Sequence, residues 1–175
     1  MKGWIKRFAG VGWALLLPAC GTNAQSGENP AYDRLLGTLY RGTVPVIRPA
    51  ALARQLHEQP GTVLLLDTRT PAEYAVSHLR EARFVDFDHY KQATFADLPR
   101  TQEIVVYCSV GARSEQVGER LRALGFKQVY NLYGGIFQWV NQGLPVYNAQ
   151  GITENVHPYS ALWSPWLSRG NKVYE

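Results

Sequence analysis

Sulfur is scarce in this chain of 175 residues: there are two cysteines, Cys20 and Cys108, and one methionine. Two thiols cannot build the disulfide framework of a small secreted domain. None of the four histidines, His57, His78, His89 and His157, stands at metal-ligand spacing from another ligand, so neither a metal nor another cofactor is expected. Blocks of lysine and arginine interleaved with aromatics are also missing, which removes the usual electrostatic footprint of a nucleic-acid binder. The longest apolar run, residues 8–17, is too short to span a bilayer comfortably.

That run has a different use. It follows Lys2, Lys6 and Arg7 and ends in small residues, the pattern of a secretory signal peptide over positions 1–19. The closing "LPAC" resembles the lipobox of bacterial lipoproteins, which makes Cys20 the lipidated first residue of the mature chain; cleavage after Ala24 is the alternative. With the signal removed, fifteen Lys and Arg face fourteen Asp and Glu, so the basic balance belongs mainly to the leader. Positions 20–31 are small, polar and aperiodic, as befits a lipidated tether. By analogy with lipoprotein sorting, Gly21 points to the outer membrane, on the periplasmic side of the cell envelope of a two-membrane bacterium. Lipidation leaves Cys108 as the lone free thiol of an exported protein.

Beyond the tether, short β-branched runs alternate with helical stretches. "TVLLLD" (62–67), "ARFVDF" (82–87), "EIVVYC" (103–108) and "QVYNLY" (128–133) read as strands. "PAEYAVSHL" (71–79) opens on proline as a helix should, "SEQVGERLRALGF" sets Val117, Leu121 and Leu124 on one face, and "GGIFQWVNQG" reads as a short helix with Trp139 in the core. The alternation predicts an α/β fold with a mostly parallel sheet covered on both faces, and a domain over residues 32–150. In such sheets ligands bind beyond the carboxyl ends of the strands. Cys108 stands at one of those ends.

The stretch "CSVGARS" (108–114) supplies what a nucleophilic thiolate needs. Free cysteine titrates near ~8.5, so a reactive one requires anion stabilisation. The amides of 109–113 can form an anion-binding nest, a helix starting near Ser114 aims its positive dipole end at the loop, and Arg113 adds a permanent charge. Gly111 permits the tight turn. Cys108 and Arg113 are the catalytic candidates, and Ser109, Val110, Gly111, Ala112 and Ser114 the substrate-binding ones. Cysteine phosphatases place one residue more between cysteine and arginine, so this loop suits a single extra sulfur better than a tetrahedral oxyanion. Asp86 and Asp88 could be offered as the acid that phosphoester cleavage needs, but they read as solvent-facing.

Three motifs in order resemble the rhodanese family of sulfurtransferases over residues 43–147: "LLDTRTPAEYAVSHLREA", "VVYCSVGARS" and "NLYGGIFQW". Ser77 and Glu81 depart from it, standing where the family has glycine. The resemblance implies a rhodanese-like fold with a five-stranded parallel sheet flanked by helices on both faces, a persulfide on Cys108, and a role for Arg113 in holding an anionic donor. Asp67, Arg69 and Glu73 are expected to form a structural charge network at the strand-helix turn, and His78 to be a hydrogen-bonding turn residue.

The expected activity is transfer of a sulfane sulfur from thiosulfate or a persulfide donor to a thiol or cyanide. A membrane-tethered binding module without catalysis, and a phosphatase or arsenate reductase, are the alternatives. Residues 151–175 lie outside the motif set. Trp163, Trp166 and Leu167 are expected to pack on the domain as a C-terminal extension, with contact to the membrane beside the lipid anchor as the other possibility.

Overall fold

The computed structural model describes residues 29–174. The expected signal peptide, Cys20 and the tether up to residue 28 lie outside the described residues. Residues 30 and 31, assigned above to the tether, open a helix instead. Asn29 caps α1 (Pro30–Leu39) by accepting from the amides of Ala31 and Tyr32, and Pro30 takes the first position, where a backbone N–H has no intrahelical partner anyway.

The strands are β1 (Val46–Ile47), β2 (Val63–Asp67), β3 (Arg83–Phe84), β4 (Glu103–Tyr107) and β5 (Gln128–Leu132). They form one parallel sheet in the order β1-β5-β4-β2-β3, so β4 is central. The helices that follow α1 are α2 (Pro49–Glu58), α3 (Pro71–Val76), α4 (Ala112–Ala123) and α5 (Gly135–Asn141). Side chains alternate across a strand. Val63, Leu65, Val105 and Tyr107 therefore join a core with Leu36, Leu52 and Phe137 from α1, α2 and α5, whereas Leu66, Ile104 and Val106 join Val117 and Leu121 of α4 on the other face. Each such side chain contributes roughly 1.5–3 kcal/mol on full burial, and cover on both sides explains why these strands read as unbroken apolar runs.

Two elements are shorter than the sequence predicts. The helix expected over 71–79 ends at Val76, because Ser77 turns extended and His78 exchanges both backbone hydrogen bonds with Tyr147 at 2.8 Å. The strand expected over 82–87 stops at Phe84. Asp86 instead caps a 3-10 turn at Phe87–His89, accepting from the Asp88 amide and holding His89 Nδ1 at 2.9 Å.

The boundary expected between residues 150 and 151 falls inside a hairpin. Strand β6 (Val146–Asn148) pairs with β7 (Gly151–Thr153), and β8 (Asn155–Val156) with β9 (Asn171–Lys172). The C-terminal segment is continuous with the domain and packs on it. Leu167 is fully buried, Trp166 stacks on Tyr32 with ring centroids 5.6 Å apart, and Asn141 ties the segment down through the Trp166 carbonyl and the Ser168 amide.

Glu81, at the position where the resemblance expects glycine, adopts φ 60. The left-handed region costs a residue with a Cβ about 1–2 kcal/mol. Its ion pair with Arg80 at 3.7 Å is exposed on both sides and offsets little. Glu81→Gly is expected to stabilise the fold by about 1 kcal/mol and raise the midpoint of thermal unfolding by a few degrees; an unchanged or lower midpoint contradicts this account of the turn.

Candidate active site

Cys108 follows directly on Tyr107, the last residue of the central strand, and its side chain is buried at 1% exposure. The turn beyond it is held by partners from three other elements. The amides of Ile136 and Phe137, in the first turn of α5, donate to the carbonyls of Cys108 and Ser109 at 2.9 and 3.1 Å. The Tyr40 hydroxyl donates to the Val110 carbonyl at 2.7 Å and accepts from the Gly134 amide. Asn131 of β5 donates through its side-chain amide to the Gly111 carbonyl, and the single Ser114 hydroxyl proton lies between Asn131 Oδ1 at 2.7 Å and that same carbonyl at 3.1 Å. Four successive carbonyls are thus turned to partners other than the sulfur. The Gly111 amide donates to Cys108 Sγ at 3.1 Å.

Gly111 is fixed by two constraints at once. Its φ is 107, and a Cβ there would lie 2.1 Å from the Tyr40 hydroxyl. It also caps α4, which begins at Ala112 rather than near Ser114, so Arg113 lies on the first turn of the helix. Burial raises the Cys108 pKa, but the Arg113 charge, the amides of Ser114 and Gly111 and the Ser114 hydroxyl outweigh it, and the net shift is downward. That favours the thiolate, the nucleophilic form.

The expected network of Asp67, Arg69 and Glu73 divides into two. Asp67 and Arg69 form a closed, fully buried pair: Arg69 Nε donates to Oδ1 at 2.9 Å and an Nη to Oδ2 at 2.6 Å, with the Ser77 carbonyl as a further acceptor. Burial disfavours the Arg69 cation, yet the Asp67 carboxylate more than restores it. Glu73 turns away from Arg69 to the loop. Arg113 donates to it with both forks, at 2.9 and 2.7 Å, and Ser109 Oγ donates to it at 2.5 Å. Thr70 completes the arrangement as a reciprocal cap, receiving the Glu73 amide and donating its own amide and hydroxyl to the carboxylate. Position in the first turn of α3 is what aims Glu73 at Arg113.

A cavity of about 230 Å³ lies at Cys108, lined by that residue with Leu39, Ser109, Val110, Ala112, Arg113, Tyr159 and Trp163. Of the residues expected to bind substrate, Ser109, Val110 and Ala112 face this space. Gly111 reaches the sulfur through its amide, and Ser114 braces the turn. Asp86 lines a different cavity, with Arg83 and His89. Sequence reasoning missed Tyr40, Asn131, Leu39 and Tyr159. Asn131 did leave a signal, as a lone amide in an apolar strand; the others did not. Among the described residues no three His, Cys, Asp or Glu side chains converge as a metal site.

A buried strand-end cysteine, with its sulfur accepting from the turn that follows it and an arginine in the first turn of the next helix, defines an α/β protein with a cysteine site at the carboxyl edge of a parallel sheet. The family model for the rhodanese-like domain matches residues 49–142, more than half of the chain, and the chain belongs to that family. A sulfurtransferase of Allochromatium vinosum is 38% identical over 89 residues, 51% of this chain and 82% of that protein. A tRNA uridine(34) hydroxylase of Bartonella quintana is 33% identical over 88 residues, but the match spans only 29% of its length. Among solved structures, a rhodanese-related protein of Thermoplasma volcanium aligns at 25% identity and TM-score 0.52 over 58% of this chain and 96% of its own. A thiosulfate sulfurtransferase of Pseudomonas aeruginosa aligns at 30% identity and TM-score 0.52 over 60% of this chain and 19% of its own. The chain is therefore of the sulfurtransferase type.

Burial works to raise the Glu73 pKa, but the Arg113 fork and the Ser109 hydroxyl overcome it and hold it at about 2. A carboxylate depressed in the folded state contributes stability above its ordinary pKa and loses it as pH falls toward the folded value. Stability on the order of 3 kcal/mol is expected to be withdrawn between about pH 5 and pH 2. In Glu73→Gln that part of the acid loss should vanish, and stability at neutral pH should fall. Urea unfolding at neutral pH and near pH 3 measures both; equal acid sensitivity in the two proteins contradicts the assignment.

Proposed function

We propose that this protein transfers sulfane sulfur through a persulfide on Cys108. The thiolate attacks the outer sulfur of thiosulfate or a persulfide donor. A bond forms between Sγ and that sulfur, and the bond to the rest of the donor breaks with its electron pair leaving on sulfite or a thiolate. An acceptor thiol or cyanide then attacks the outer sulfur of Cys108, and the thiolate is regenerated. The observation that supports this most is the Gly111 amide 3.1 Å from Cys108 Sγ, in a turn whose carbonyls are all engaged elsewhere. Such a turn stabilises both the free thiolate and the anionic persulfide without rearrangement.

Glu73 and Ser109 are positioning residues in this reading. They fix the Arg113 fork beside the sulfur, and a fixed charge stabilises developing anions better than a mobile one. The short turn, with four residues between Cys108 and Arg113, suits one added sulfur more than a phosphoryl group.

Purified protein incubated with a sulfane-sulfur donor is expected to gain the mass of one sulfur atom, and to release thiocyanate when cyanide is added. Cys108→Ser should show neither. Thiocyanate production at an undiminished rate in Cys108→Ser contradicts the proposal. Absence of any adduct or turnover in the unaltered protein favours a binding module, and phosphate release from an aryl phosphate favours phosphatase chemistry.

A further inference from the structure

The cation that an inorganic donor would need is already paired with a carboxylate. Both forks of Arg113 are bonded to Glu73, at 2.9 and 2.7 Å. The guanidinium is also covered by aromatic rings, lying 4.6 Å from the Tyr159 centroid and 5.8 Å from that of Phe87. Glu73, with its pKa held at about 2, stays ionised at any pH near neutrality. An entering thiosulfate dianion meets an arginine whose charge is partly offset by Glu73, beside a sulfur whose own anionic form is favoured.

Apart from Ser109, whose hydroxyl is bonded to Glu73, the rest of the cavity is mainly apolar. Leu39 of α1, Val110, Ala112, Tyr159 and Trp163 form its walls. Leu39, Tyr159 and Trp163 all lie outside residues 49–142, the range matched by the family model, so this wall comes from segments flanking that range. The C-terminal part of this wall is held firmly. Tyr159 sits in the left-handed region at φ 65, which a tyrosine adopts only under constraint, and the constraint is visible: its amide donates to His157 Nδ1 at 3.0 Å, while His157 Nε2 bonds the Tyr174 carbonyl. Behind it, the segment is anchored by buried Leu167 and by Trp166 on Tyr32.

We infer that Leu39, Tyr159 and Trp163 determine donor specificity, selecting an organic sulfane-sulfur donor that carries an apolar group and at most one negative charge, over inorganic thiosulfate. This rests on the sulfurtransferase reading above. The apolar group seats against Leu39 and Trp163, which places the outer sulfur at Cys108. The thiolate bonds to that sulfur, the donor's S–S bond breaks, and the electron pair leaves on an organic thiolate or sulfinate; no external oxidant or reductant enters.

Benzenethiosulfonate and methanethiosulfonate test this cleanly, since they carry the same charge and both leave a sulfinate. Wild-type kcat/KM for the benzene compound is expected to exceed that for the methane compound by about tenfold or more, with thiosulfate lowest. Trp163→Ala, checked for folding by circular dichroism, should bring the benzene-to-methane ratio close to one. Leu39→Ala, on a different element, should lower it too and guards against a loosened C-terminal segment as the cause. A ratio near one in the wild type, a ratio unchanged in both variants, or thiosulfate as the fastest donor overturns the specificity while leaving sulfur transfer standing. No turnover or Cys108 adduct with any of the three donors overturns both.

Discussion

One bidentate ion pair organises this site. Glu73 takes both forks of Arg113 and the Ser109 hydroxyl, and in doing so joins the first turn of α3 to the first turn of α4 across the carboxyl edge of the sheet. The side chains of Glu73 and Arg113 are 1% and 17% exposed, so little water screens the pair. Breaking a buried pair by removing one partner costs about 3–5 kcal/mol, because the remaining charge is stranded. The pair therefore fixes where a positive charge stands relative to Cys108, and it also limits how much of that charge a ligand can use.

Around this pair the turn is stabilised from the outside inward. Tyr40, Asn131, Ser114 and the first turn of α5 hold its carbonyls, and Gly111 alone fits where the Tyr40 hydroxyl approaches. A buried thiol is normally pushed toward its neutral form; here the Gly111 amide and the Arg113 charge reverse that. Stabilising the anion and burying it are opposed demands, and the site meets both by supplying fixed dipoles in place of water.

Much of this was legible in the residues. The apolar runs 62–67, 103–108 and 128–133 announce strands buried on both faces, and Cys108 at the end of one of them announces the site. Local spacing misled at Glu73. Four positions after Arg69, it looks like a helical neighbour of that charge, yet Arg69 is closed on Asp67 and the true partner of Glu73 is forty positions away. Pairings of that kind depend on which strands lie side by side, and spacing along the chain carries no record of it. Tyr159 and Trp163 were hidden for a related reason. Aromatics in a C-terminal segment signal that apolar area is covered, but only the path of β6 to β9 decides that the area includes the mouth of the cysteine cavity.

The central claim is that dipoles and a fixed guanidinium favour the thiolate of Cys108 against the opposing effect of burial. Ultraviolet titration of the thiolate, in protein carrying Cys20→Ser so that Cys108 is the only thiol, and with the tyrosine signal subtracted using Cys108→Ser, tests it most directly. A midpoint below the free-cysteine value of about 8.5 is predicted. A midpoint at or above that value would show that burial prevails over the cradle, and would contradict the account.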